Sequence, residues 1–280
     1  MSFERWGFLQ MSVRVGEGYM KKSLIEIAFM SEKRKKVLLL LQDGPLKMGS
    51  ILKALDTNRQ GLLPQIKILE DYHLIIKKDD QCSLTTIGEM VVKQMSPLLG
   101  IVAVLDNDID YWGSRELSFI PPGLLDRFCE LGPCTVIEPD IADLYEMNRD
   151  FSENIRASKS MNMVTTFLYP DFFTLFADYL EHGVEISMVL SKELAHKIST
   201  DYRDEFKGLM KRGRVNMFVS RLEMPFLSVA YSDHCIFLRL LKKKLVFDSK
   251  QLMCCSPCAL AWGKDFFNNY LEHSAPMGDI

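Results

Sequence analysis

Two sets of residues in this chain are spaced for chemistry. The first is Cys254-Cys255-Ser256-Pro257-Cys258, three thiols within five residues. Thiolates so placed can supply part of a tetrahedral zinc or iron–sulfur site, pair as a disulfide, or act as a redox switch. No fourth ligand stands nearby, so metal is not expected; small apolar cysteines before the final helix are the default reading and thiol switching is its alternative. The second set is Asn58, Arg59, Gln60, Leu63, Pro64, Gln65 and Lys67, followed by Lys77 and Lys78. Guanidinium and carboxamide groups make paired hydrogen bonds to base edges, and ammonium groups meet phosphate. Asp106, Asp108 and Asp110 also alternate, but without the glycine turn or bidentate Glu of a calcium loop they read as solvated. No cofactor is indicated.

The elements that must position the second set can be read on either side of it. Ser31 caps a helix whose apolar face is Val37, Leu38, Leu40 and Leu41, behind the basic start Lys33-Arg34-Lys35-Lys36 and ahead of the stop Asp43-Gly44-Pro45. Met48, Ile51, Leu52 and Leu55 form the stripe of a second short helix, and Asp56 suits the tight turn after it because Asp tolerates positive φ. Leu62, Ile66 and Leu69 then face a core, leaving Arg59, Gln60, Leu63, Pro64 and Lys67 on the opposite side. Pro64 leaves the helix start open: begun at Asn58, the helix loses a backbone donor, whereas begun near Leu63 it does not. Leu74 to Lys78, a tip at Asp79-Asp80-Gln81, and Cys82 to Thr85 alternate as a hairpin. Three helices, a hairpin and a further helix over about sixty residues make a winged helix-turn-helix.

Charge separates duplex DNA from other partners for such a module. Lys21 to Lys93 holds 13 Lys and Arg against 9 Asp and Glu, while the whole chain is at −3, so a basic head sits on an acidic remainder. A docking module without DNA contact is the competing reading, since fold alone does not set function. With 280 residues and 48% apolar content the chain can bury more than one core. No apolar run reaches the roughly 18 residues that cross a bilayer, and the start lacks a signal-peptide pattern; no membrane role and a cytoplasmic location are expected. Seven cysteines, an odd number, suit a reducing compartment better than a disulfide scaffold.

Beyond the wing, Val91, Met95, Leu98, Val102 and Leu105 recur at spacings of four and three, the stripe expected of a helix that pairs with its twofold mate. Pro97 predicts a kink, or a restart capped by Ser96. A loop at Ile120-Pro121-Pro122-Gly123 leads to a helix from Leu124 to Leu131, and a second helix is expected from Asp140 to about Ser158. Strand and helix then alternate from Met161, and Phe226–Tyr231 with Cys235–Leu241 read as a hairpin. Trp262, Phe266, Phe267 and Tyr270 form an aromatic stripe expected in the core. The fold class is α+β passing to α/β: an N-terminal winged helix-turn-helix, a linker helix and a C-terminal α/β domain with a mixed sheet. Its divisions are an extension over 1–19, a DNA-binding domain over 20–88, a linker and dimerisation helix over 89–112, and a regulatory domain over 113–280.

Four phrases give the chain a family likeness: Lys21-Lys22-Ser23-Leu24-Ile25, Ser31-Glu32-Lys33-Arg34-Lys35, Leu62-Leu63-Pro64-Gln65-Ile66 and Ala259-Leu260-Ala261-Trp262-Gly263-Lys264-Asp265-Phe266-Phe267. On these it resembles the archaeal winged-helix regulators of the methanogenesis-regulator type, over residues 20 to about 272. The resemblance implies a homodimeric transcription factor of an anaerobic archaeon, acting on genes of methane-forming metabolism under an unidentified effector; twofold pairing of winged helices in turn predicts a near-palindromic operator in double-stranded DNA. The regulatory domain of that family also looks like half of a phospholipase-D-type sheet, whose chemistry needs a His and a Lys two residues apart. None of His73, His182, His196, His234 or His273 has a Lys at that spacing, so no catalysis of that kind is expected.

Overall fold

The computed structural model describes residues 22–144, 146–212 and 214–278, so the extension over 1–19 lies outside the described residues. The chain divides between Ser96 and Pro97 into two compact units. In the first, α1 (Leu24–Phe29) opens on a capping box in which Ser23 and Glu26 satisfy each other's backbone N–H. Ser31 caps α2 (Glu32–Leu40) by accepting from the Arg34 N–H. A two-residue strand, β1 (Leu46–Lys47), leads to α3 (Met48–Ala54), and Asp56 carries the next turn at φ 45°. Asn58 then caps α4 (Arg59–Asp71) through a 2.8 Å bond from the Gly61 N–H.

The hairpin is β2 (Ile75–Lys78) and β3 (Gln81–Leu84), with a tip of Asp79 and Asp80 alone, since Gln81 already pairs with Lys78. β1 adds a third strand beside β3, too short for an alternating pattern to announce it. Buried Leu62, Ile66 and Leu69 join Val37, Leu38, Met48 and Ile51 in the core of this unit. Burial pushes the Cys82 thiol up, keeping it a neutral packing group.

Thr85 bonds back to the His73 carbonyl and accepts from the Gly88 N–H, starting α5 (Thr86–Asp106). This helix runs unbroken through Pro97, so neither restart nor cap at Ser96 occurs; the missing N–H costs one bond, and the unit boundary falls there. Contrary to the sequence expectation, α5 is long and apolar enough to cross a bilayer, but Val92, Met95 and Val104 are buried in protein.

The second unit is a sheet with helices on both faces. After the second half of α5 it continues with α6 (Ile109–Ser114), whose cap Asp108 accepts from the Tyr111 N–H, α7 (Pro122–Leu125) and β4 (Thr135–Ile137). There follow α8 (Arg149–Arg156), β5 (Ser160–Thr165), α9 (Phe172–Glu181), β6 (Glu185–Leu190), α10 (Lys192–Asp201), α11 (Arg203–Lys211) and β7 (Val215–Ser220). The chain closes with β8 (Ser228–Ser232), β9 (Ile236–Arg239), β10 (Gln251–Cys254), α12 (Pro257–Glu272) and β11 (Ser274–Pro276). Among the described residues the sheet order is β11-β7-β6-β5-β8-β9-β10-β4, with β5, β6 and β7 parallel and the other pairs antiparallel. It is the mixed sheet the sequence predicts.

Alternation along each strand feeds two cores. Val164, Val189, Ile236 and Leu238 face Trp262, Phe266 and Tyr270 of α12, while Met163, Met188 and Phe237 face Phe151, Phe172, Phe176 and Phe206. The aromatic stripe is therefore core, as expected.

Two helices differ from the sequence reading. The one expected over Leu124–Leu131 ends at Leu125 and resumes as a 3-10 turn at Phe128–Leu131. That expected from Asp140 to Ser158 is a 3-10 turn at Ile141–Asp143 and then α8, because Asn148 takes the cap of α8 and ends any helix before it.

Cysteine usage needs a larger correction. Cys134 pairs with Cys254 and Cys235 with Cys255, so four of the seven cysteines are in disulfides while Cys82, Cys129 and Cys258 are free. The pairs are cross-strand neighbours on the two sides of β10, one step beyond Thr135↔Met253 and Ile236↔Cys254. The sequence does not show this, because a strand as short as β10 has too few residues to alternate visibly.

Candidate nucleic-acid interface

The 13-residue α4 is the element on which the site is built. Its apolar residues recur at four and three, so burying Leu62, Ile66 and Leu69 turns Arg59, Leu63, Pro64 and Lys67 outward together. Asn58, Gln60 and Lys78 are exposed as well, while Lys77 is half-buried and its backbone N–H donates to Glu70 at 3.1 Å. The helix begins at Arg59, so Pro64 lies beyond the first turn and the Gln60 carbonyl loses its intrahelical donor.

Gln65 departs from the sequence reading. Its Oε1 accepts from Arg34 at 2.8 Å and from Ser31 at 3.4 Å, bracing α4 against α2 rather than pointing outward. The 3.6-residue period placed it at the border of the buried face, where a short polar chain can turn either way.

Electrostatics at the start of α4 favour anions. Backbone N–H groups of a first helical turn face solvent, and the helix dipole adds positive potential there. Lys33 stands beside that turn: its Nζ lies 2.9 Å from where a side chain on Gly61 would begin. Reading Lys33 only as the basic start of α2 missed this placement, and no local pattern announces it. Arg59 reaches across to the wing tip and pairs with Asp80 at 2.8 Å, both side chains more than half exposed. Pairs this exposed are worth about 0–1 kcal/mol, so a phosphate or base edge can replace the carboxylate at little cost.

The stripe on α5 divides. Met95 is buried and Leu105 packs against the core of its own unit; Val91 is half-buried, and Leu98 and Val102 are exposed beside Ile87 and Met90. No group of three or more potential metal ligands occurs among the described residues.

The second unit carries a cavity of about 460 Å³ between the ends of β5 and the starts of α9 and α10, with Tyr169, Phe172, Phe173 and Lys197 in its walls. Behind two of its rings lies buried Arg239, its guanidinium 4.7 Å from the Phe167 ring and 5.0 Å from that of Tyr169. Burial pushes the Tyr169 hydroxyl upward from its ordinary range, although Arg239 pulls the other way. Crevices at the carboxyl ends of parallel strands are where α/β sheets take ligands.

Two models of one family match the chain. The N-terminal domain of the methanogenesis regulatory protein FilR1 matches residues 22–103, and the FilR1 middle domain matches residues 144–273. A curated relative, the methanogenesis regulatory protein FilR1 of Methanothrix harundinacea (strain 6Ac), is 21% identical over 262 residues, 91% of this chain. The chain spans 59% of that relative's length. Of solved structures, TrmBL2, an archaeal chromatin protein, is 12% identical with a TM-score of 0.40 over 90% of this chain and 97% of its own. NUC of Salmonella typhimurium, a phospholipase D family member, is 12% identical with a TM-score of 0.36 over 51% of this chain and 98% of its own.

Proposed function

Because the chain belongs to the family of the methanogenesis regulatory protein FilR1, with both an N-terminal and a middle domain of that family, we propose that it is a transcriptional regulator that binds duplex DNA through α4 and the wing. The observation that carries this reading is the outward face of α4, where Arg59, Gln60 and Lys67 stand opposite buried Leu62, Ile66 and Leu69, with Lys33 and Lys78 on its flanks. Arg59 and Gln60 read base edges; Lys33, Lys67, Lys77 and Lys78 meet phosphate. The protein works in the cytoplasm on genes of methane-forming metabolism. It acts as a homodimer through the exposed apolar residues of α5, Ile87, Met90, Leu98 and Val102. The regulatory signal enters through the α/β unit, whose cavity suits a small-molecule effector.

Sequencing the genomic fragments retained by the immobilised protein tests this. The expected result is a shared near-palindrome with half-sites about 10 base pairs, or a multiple of that, apart. Retention of no DNA above background by a folded protein would favour the docking module instead.

A further inference from the structure

Cys255-Ser256-Pro257-Cys258 crosses from the end of β10 into the first turn of α12, and its two cysteines are in different states. Cys255 is exposed and bonded to Cys235; Cys258 is exposed and free. Cys255 precedes the Ser256 cap of α12 and Cys258 follows Pro257 in its first turn, the Cys-X-X-Cys spacing at which two sulfurs can meet. Cys235 is buried, and its Sγ accepts a 3.6 Å hydrogen bond from the Asn154 carboxamide on α8. A donor on that sulfur stabilises the negative charge it takes up if the bond breaks.

We propose that this cluster is a thiol–disulfide exchange site, with Cys258 as attacking thiol, Cys255 as the central sulfur and Cys235 as leaving group. Cys258 loses its proton to solvent, and the thiolate attacks Cys255 Sγ along the axis of the existing bond. A Cys258–Cys255 bond forms as the Cys255–Cys235 bond breaks, and the electron pair leaves on Cys235 Sγ, which then takes a proton from solvent. One disulfide and one thiol are present before and after, so neither oxidant nor reductant is consumed. The exchange unties β9 from β10, while Cys134–Cys254 still ties β10 to β4. Asn154 is a positioning residue here, acting through the leaving sulfur. The exchange does not depend on DNA binding.

The test is to hold the full-length protein at pH 8 without reductant, quench aliquots in acid, digest with pepsin and map cross-linked peptides by mass spectrometry. The expected result is growth of a Cys255–Cys258 linkage as Cys235 becomes a free thiol, faster at higher pH because the thiolate is the attacking species. Cys258→Ser should abolish both signals, and Asn154→Ala should slow their appearance about tenfold while leaving the Cys235–Cys255 bond in the starting material. Failure of the new linkage to exceed about one chain in a hundred would overturn the proposal. So would release of Cys235 at the same rate in Cys258→Ser, or an unchanged rate in Asn154→Ala.

Discussion

At the scale of single residues, charge pairing on the proposed reading face and in the α/β core has opposite consequences. Arg59 and Asp80 meet in solvent, where the pair contributes little to the fold, yet Asp80 places a negative charge on the surface proposed to meet phosphate. Asp80→Asn should therefore raise affinity for duplex DNA about threefold to tenfold at low salt, an advantage that fades as salt rises; equilibrium anisotropy titrations measure it, and lower affinity would show that the pair shapes the site instead. Arg115 is buried, bonded to Asp248 and to the Leu240 carbonyl at 3.2 Å, and lies 3.9 Å from the Tyr111 ring. Burial alone would push the Asp248 carboxyl up, but the Arg115 hydrogen bond and charge, with Lys242, hold it below the usual carboxylate range. Since the folded form then keeps Asp248 ionised at pH values where the unfolded form binds a proton, its contribution is present above about pH 4 and lost as pH falls through the folded value. The stability gap between wild type and Asp248→Asn in urea should narrow steadily below pH 4; a gap independent of pH would remove Asp248 from the acid response.

Among the elements, α5 carries both the close start against the wing and the proposed dimer face. Gly88 lets it start against the wing: a Cβ there would lie 2.0 Å from the Leu74 carbonyl oxygen, which is backbone and cannot turn aside. Gly88→Ala should cost about 1–3 kcal/mol, as overpacking does, read as a lower urea midpoint, and an unchanged midpoint would mean the approach is looser than described. Leu98 and Val102 are 51% and 40% exposed, apolar surface that a twofold mate would cover. Leu98→Glu should turn a dimer into monomers in sedimentation; a wild type that is already monomeric at micromolar concentration contradicts the pairing.

How far the sequence foretells these elements follows from periodicity. Leu62, Ile66 and Leu69 mark α4 because one period over eight residues leaves one solution, and Asp56 marks its turn through a backbone preference. Met95 and Leu105 look alike to that pattern, since neither the subunit nor the core an apolar residue meets is written in its spacing. β4, β10 and β11 have three or four residues each, too few to alternate visibly, and with β10 went the partners of Cys134 and Cys235. Gln65 turns inward and Lys33 reaches the start of α4 for a related reason: contacts between helices set their direction, and pattern along one helix does not hold them.

For the whole molecule, we propose that a basic head on an acidic chain reads a DNA sequence. A regulatory signal acts on such a protein only as far as it favours one arrangement over another, typically by about 1–3 kcal/mol. The most direct test is a salt titration of affinity for a selected operator and for an unrelated duplex, with wild type, Arg59→Ala and Lys78→Ala. Wild type should bind the operator at least about a thousandfold tighter than the unrelated duplex, with log affinity falling linearly in log salt. Lys78→Ala should weaken both duplexes alike and flatten the slope by roughly one unit, whereas Arg59→Ala should lose about 1–3 kcal/mol on the operator and relax its preference at one position. Equal affinity for the two duplexes, or wild-type behaviour by both variants, would contradict the assignment of α4 and the wing as the reading surface.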